Sequence, residues 1–207
     1  LAMERLEKEW NVYPVLHLDF SMTKYTALSD LLGQLNLNLY DWEKLYGKEE
    51  VEGTPAERFR GVIRRAYEQT GKPVVVLIDE YDAPLLDSNH LPELQNELRE
   101  EMRKFFSPLK AQGEYLRFLF LTGISKFSQM SIFSELNNLQ NISMWDEYSA
   151  ICGITEQEVH TLQIDIEQMA QANNETYEEA CTHLKQQYDG YHFSENSEDI
   201  YNPFSLF

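Results

Sequence analysis

The residues best suited to chemistry stand where a run of apolar residues stops. Val74-Val75-Val76-Leu77-Ile78 is followed at once by Asp79 and Glu80. In open α/β sheets, ligands gather beyond the carboxyl ends of the strands. A carboxylate at such an exit can hold a Mg²⁺ that bridges the β- and γ-phosphates of a nucleotide, and an adjacent carboxylate can orient or deprotonate the attacking water. Asp79 suits the first role and Glu80 the second. The same pair also suits a structural role, one acid capping the next turn and its neighbour solvated. A second apolar run, Phe118-Leu119-Phe120-Leu121, ends in Thr122-Gly123-Ile124-Ser125-Lys126. If the two strands are neighbours, the Thr122 hydroxyl lies beside the acidic pair and can sense a γ-phosphate. Lys126 can then reach a phosphate or pair with Asp79 or Asp82. Ser125 reads more simply as a turn cap, and Thr122 and Lys126 also fit a cap and a surface charge.

What is absent narrows the chemistry. No GxxxxGKS/T loop occurs: Gly47-Lys48 runs into Glu49, and Gly71-Lys72 into Pro73. Neither pair can offer a hydroxyl to Mg²⁺. HExxH, GxSxG and GxGxxG are missing too, and His17, His90, His160, His183 and His192 are too scattered for a zinc site. Cys152 and Cys181 lack CxxC spacing and read as reduced, buried small residues. With 17 Lys and Arg against 35 Asp and Glu, the formal charge of -18 argues against a broad face for nucleic acid or anionic lipid. The longest apolar run, Val74 to Ile78, is far short of the ~20 residues that span a bilayer, and no leader-like segment opens the chain. A cytoplasmic protein that does not enter membranes is expected.

Several elements are expected to position these residues. Val12 to Phe20 reads as a largely buried first strand ending near Asp19 and Ser21. Leu28, Leu31, Leu32, Leu35, Leu39 and Trp42 recur at helical spacing. Thr54-Pro55-Ala56-Glu57 is a helix start with a capping box, Phe59, Val62, Ile63, Ala66 and Tyr67 form its apolar face, and Gly71 stops it. The unbroken run from Val74 predicts a central strand covered on both faces. A helix is expected from Leu91 to Leu109, with Leu94, Leu98, Phe105 and Phe106 inward, and then a strand over Leu116 to Leu121. Strands separated by helical crossovers run parallel, so the fold class is α/β with an open, mostly parallel sheet. Beyond it a weaker strand is expected at Tyr148 to Cys152. Thr155 caps a helix bearing Val159, Leu162, Ile166 and Met169, and Gln171 to Gln187 is a polar helical stretch.

Three stretches together resemble a known family: Tyr13-Pro14-Val15-Leu16-His17-Leu18-Asp19-Phe20-Ser21, Val76-Leu77-Ile78-Asp79-Glu80-Tyr81-Asp82-Ala83-Pro84-Leu85, and Leu121-Thr122-Gly123-Ile124-Ser125-Lys126-Phe127-Ser128. They resemble the bacterial AAA-ATPase-like family, often found fused to a PD-(D/E)XK nuclease-like module. Ser131 to Leu139, Gly153 to Glu158, Tyr188 to Tyr191 and Tyr201 to Ser205 extend the resemblance in order along the chain. The resemblance implies a P-loop NTPase core of AAA/ASCE type. Asp79-Glu80 is then the Walker B pair, with Asp79 holding Mg²⁺ through water, and Thr122-Gly123 lies in the sensor-1 segment. It also implies a phosphate-binding loop upstream of Leu1 and a nuclease-like module after Phe207. The role of Asp82 is not settled by the resemblance.

The expectation is therefore a P-loop NTPase core over 1–154, truncated before its P-loop strand, and a small helical lid over 155–207. The intact parent binds ATP and Mg²⁺ and hydrolyses the nucleotide, whereas this stretch alone is inactive. Glu80 and Thr122 are the candidate catalytic residues, and Asp79, Thr122 and Lys126 the candidate nucleotide and metal contacts. A different class of function stays open: a degenerate NTPase fold serving as an interaction scaffold. A nuclease would need an acid cluster with a catalytic lysine, which has no place here at suitable spacing. Arg58, Arg64, Arg65, Arg99, Arg103 and Arg117 each read as solvated helix or strand-end charges rather than as an arginine finger.

Overall fold

The computed structural model describes residues 8–124, 132, 133, 136, 139–151, 153–188 and 200–202, apart from the side chains of 162–164. Its contacts fall into two units, Leu1–Leu139 and Gln140–Phe207. The sequence places the division later, between 154 and 155. Among the described residues, no helix is long and apolar enough to cross a membrane.

In the first unit, β1 (Val15–Asp19), β2 (Val74–Asp79) and β3 (Leu116–Leu121) form a parallel sheet in the order β1-β2-β3. Helices α1 (Leu28–Tyr46) and α2 (Pro55–Thr70) join β1 to β2. Helices α3 (Ala83–Asp87), α4 (Pro92–Phe106) and α5 (Pro108–Ala111) join β2 to β3. Parallel neighbours joined through helices make this an α/β fold.

Local chemistry explains the boundaries. Glu57 Oε2 accepts from the Thr54 amide at 2.8 Å while Thr54 Oγ1 accepts from the Glu57 amide at 3.3 Å, which starts α2. Gly71 ends it in the left-handed conformation at φ 64°. Helix α1 has no side-chain cap at Ala27. Asp30 instead accepts from the Thr26 and Ala27 amides at 2.8 and 2.9 Å, consuming orphan donors from within the first turn. The helix expected over Leu91 to Leu109 is broken, because Pro108 has no N–H to continue it and starts α5 afresh. Helix α3, right after the acidic pair, has no counterpart in the sequence expectation.

Burial corrects a second expectation. Leu16, Leu18, Val74, Val76 and Ile78 have at most 1% exposure and pack on the helices, joined by Phe20, Phe59, Phe105 and Phe106. The alternate positions do not follow. His17 is exposed, Val75 and Leu77 are half-buried, and Val15 and Phe118 are 49% and 52% exposed. Strand β1 is therefore not largely buried, and β2 is covered on one face only among the described residues. A continuous apolar run does not itself distinguish one covered face from two. The same alternation sends Asp19, Asp79 and Thr122 off the more open face, as register partners share a face.

The second unit holds β4 (Ile154–Thr155), α6 (Glu156–Val159), α7 (Gln163–Asn173), α8 (Tyr177–Tyr188) and β5 (Ile200–Tyr201). Strands β4 and β5 pair antiparallel. Val159, Ile166, Ala170, Ala180, Leu184 and Tyr201 form its small core. The strand expected at Tyr148 to Cys152 is absent from the described residues there: Asp146–Tyr148 is a 3₁₀ turn, and the extended segment comes later, at Ile154. Cys152 lies outside the described residues. Thr155 does cap α6 with Glu158, but a 3₁₀ turn at His160–Leu162 separates α6 from α7. Asn174, left-handed at φ 56°, separates α7 from α8.

Candidate functional site

The register brings the ends of the three strands together. Asp19 stands opposite Asp79, and Ile78 opposite Leu121, so Asp79 and Thr122 leave the sheet side by side. Backbone bonds carry the pairing past the strand ends, with the Thr122 amide donating to Ile78 O at 2.9 Å and the Tyr81 amide to Thr122 O at 3.1 Å. The Thr122 hydroxyl donates to Asp79 Oδ1. The Glu80 amide reaches both partners, Asp79 Oδ1 at 3.1 Å and Thr122 Oγ1 at 3.3 Å. Asp79, Glu80 and Thr122 are thus one hydrogen-bonded group at half-buried positions. Lys126 and Ser125 lie outside the described residues.

Glu80 has φ 49°, a left-handed conformation that costs a residue with a Cβ about 1–2 kcal/mol. Such strain concentrates at functional sites, where surrounding contacts impose it. Here the amide bonds of Glu80 and Tyr81 to the β3 exit impose it. The turn is also anchored from below. Tyr81, 4% exposed, packs edge-on against Phe133 at 5.5 Å, and Phe133 lies 5.1 Å from Phe106 of the core. Burial, and next the charge of Asp82, push the Tyr81 hydroxyl up to about 12, so it stays neutral.

Sequence reasoning left Asp19 out of the site, although its register partner is Asp79. The Ser21 hydroxyl and amide donate to Asp19 Oδ1 at 2.7 and 2.8 Å and hold its carboxyl below the ordinary range. Gln34 of α1 steadies the segment, donating to Asp19 O at 3.3 Å and accepting from the Thr23 hydroxyl at 2.9 Å. The usable signal was a second apolar run ending in an acid and a small hydroxyl residue, Leu18-Asp19-Phe20-Ser21.

A hollow of about 190 Å³ opens against this group, lined by His17, Leu77, Ile78, Asp79, Phe120 and Thr122. A larger one, about 640 Å³, lies between the starts of α1 and α4 and includes none of the strand-end residues. Of these two, only the smaller is lined by residues of the strand exits. Among the described residues, no group of three or more His, Cys, Asp or Glu is placed to hold a metal unaided. The donor set suits Mg²⁺ bound through one carboxylate, water and substrate phosphates. Asp79 Oδ2 accepts no hydrogen bond from a described residue and remains available for such a hydrated ion.

Two candidate arginines are not solvated charges. Arg58 binds Glu43 with Nε–Oε1 at 2.7 Å and Nη2–Oε2 at 2.9 Å. Arg65, 8% exposed, binds Glu52 with Nη1–Oε1 at 2.5 Å and Nη2–Oε2 at 3.0 Å. Both lock α2 to neighbouring segments.

Residues 1–133 match the profile of a family described as predicted AAA-ATPase. The chain is also 35% identical over 194 residues, 94% of its length, to an uncharacterized protein in the vnfD 5' region of Azotobacter chroococcum mcd 1. It spans only 36% of that relative. No solved structure matches. The family match covers the whole parallel sheet, including both strand exits and the acid–hydroxyl group between them, and on that ground the chain belongs to the predicted AAA-ATPase family.

Proposed function

We propose that the strand exits are the hydrolytic half of an ATP site, working in a longer polypeptide that supplies the phosphate-binding loop. The supporting observation is the bonded group Asp79–Thr122–Glu80 at the ends of two adjacent parallel strands. Asp79 would hold Mg²⁺ through Oδ2, with Oδ1 fixed by Thr122 and the Glu80 amide. The ion would supply charge neutralisation at the phosphates. Glu80 orients a water and takes its proton as the water oxygen bonds to the γ-phosphorus, and the bond to the β–γ bridging oxygen breaks. The Thr122 hydroxyl lies where it can report the γ-phosphate, and Lys126, which follows four residues later, adds a positive charge to the phosphates. The strained turn serves this role by fixing Glu80 relative to the metal carboxylate.

The test is phosphate release by the full-length protein. Glu80→Gln is expected to lower turnover by 10²-fold or more while ATP still binds, the range general-base catalysis contributes. Undiminished turnover removes Glu80 from the role. A full-length protein that binds no ATP favours a nucleotide-free interaction scaffold instead.

A further inference from the structure

The turn after β2 buries a carboxylate that neither the metal nor the water needs. Asp82 is 0% exposed and heads α3, its backbone carbonyl accepting from the Leu85 and Leu86 amides at 3.0 and 2.9 Å. Its side chain bears on the exit of the next strand. A Cβ added to Gly123 would stand 2.6 Å from Asp82 Oδ1, and 2.7 and 3.0 Å from two ring carbons of Tyr81. Real Cβ atoms do not approach a neighbour that closely. Gly123 is itself exposed, so a side chain there is excluded only on the side that faces the turn. The exclusion comes from two residues of the turn itself, Tyr81 and Asp82.

We propose that Asp82 is a positioning residue: its buried carboxylate, seated against Gly123, sets the spacing between the Glu80 turn and the β3 exit and thereby holds Thr122 on Asp79. Gly123 immediately follows Thr122, and Asp82 follows Glu80 by two residues, so one contact fixes both arms of the site. The bonds it protects are Thr122 Oγ1 to Asp79, the Glu80 amide to Asp79 and Thr122, and the Tyr81 amide to Thr122 O. The contact stands independently of the chemistry, whereas its catalytic consequence rests on the ATPase reading above.

The test uses the full-length protein with Asp82→Ala, which opens space beside Gly123, and Gly123→Ala, which fills it. Amide hydrogen exchange is followed in peptides spanning 78–82 and 120–124. Each variant is expected to exchange at least tenfold faster there, with peptides from β1 and α2 unchanged. Asp82→Asn, which keeps the shape of the side chain against Gly123, is expected to retain much of the protection that Asp82→Ala loses. In steady-state assays Asp82→Ala and Gly123→Ala are expected to lose about 10²-fold in kcat with KM for ATP within twofold, as a misplaced catalytic arm does. Asp82→Asn is expected to lose far less kcat than Asp82→Ala. Uniformly faster exchange across the first unit, no change at 78–82 and 120–124, or Asp82→Asn exchanging there as fast as Asp82→Ala would overturn the proposal. A wild-type protein without turnover defeats the ATPase reading, and the exchange data then decide the contact alone.

Discussion

Gly61, in the middle of α2, offers a sharp test of how the fold is locked. Glu52 and Arg65 form a two-bond ion pair at 7% and 8% exposure, and the pair lies directly across Gly61. A Cβ at Gly61 would stand 1.7 Å from Glu52 Oε1 and 2.6 Å from Arg65 Nη1, so Gly61→Ala must displace the carboxylate. Stranding one charge of a buried pair costs about 3–5 kcal/mol, an upper limit here because the displaced groups are the ends of two flexible side chains. Alanine returns about 1 kcal/mol through its better helix propensity, leaving a net loss of up to about 2–4 kcal/mol. For a chain of this size that is roughly 5–15 °C in Tm. Gly33 is the control. It lies exposed inside α1 with nothing within 4 Å of its would-be Cβ, so Gly33→Ala is expected to stabilise by about 0.5–1 kcal/mol. Urea unfolding of both variants measures the two signs. If Gly61→Ala is as stable as Gly33→Ala, the ion pair does not occupy that space and the reasoning is refuted.

Two further outcomes follow from the same contacts. Arg58 holds the Glu43 carboxyl below its ordinary value of 4.5, so their bond stabilises fully above that pH and fades as pH falls through the lowered value. The stability gap between wild type and Glu43→Gln, measured by urea unfolding, should therefore be widest near neutrality and narrow as pH falls below 4.5; a gap independent of pH would count against the pair. Thr122→Val removes the hydroxyl shared by Asp79 and the Glu80 amide, and a loss of about 1–2 kcal/mol is expected in the same assay. No loss would mean that the hydroxyl spends its time bonded to water.

The parallel order of the strands was legible because helical spacing between apolar runs leaves few other topologies. So was the start of α2, where Thr54, Pro55 and Glu57 state their roles locally. The meeting of Asp79, Glu80 and Thr122 at adjacent strand exits was legible, since an apolar run ending in polar residues marks such an exit. Other features depend on partners distant in sequence. Arg65 reads as one more surface charge until Glu52 comes to lie beside it, and nothing near Asp82 announces that Gly123 will press on it. The open face of β2 was hidden for a different reason. Val75 and Leu77 have the same composition whether a helix covers them or not, so the residues alone cannot tell which face is packed.

The most direct test of the strand-exit site is to place a paramagnetic ion there. Full-length protein with methyl-labelled threonine is saturated with Mn²⁺·ATP and compared with its Mg²⁺·ATP form. If Asp79 holds the metal, the Thr122 methyl signal disappears in the manganese form, while that of Thr70, beyond the opposite end of β2, is broadened far less. A Thr122 signal that persists with nucleotide bound would contradict the assignment.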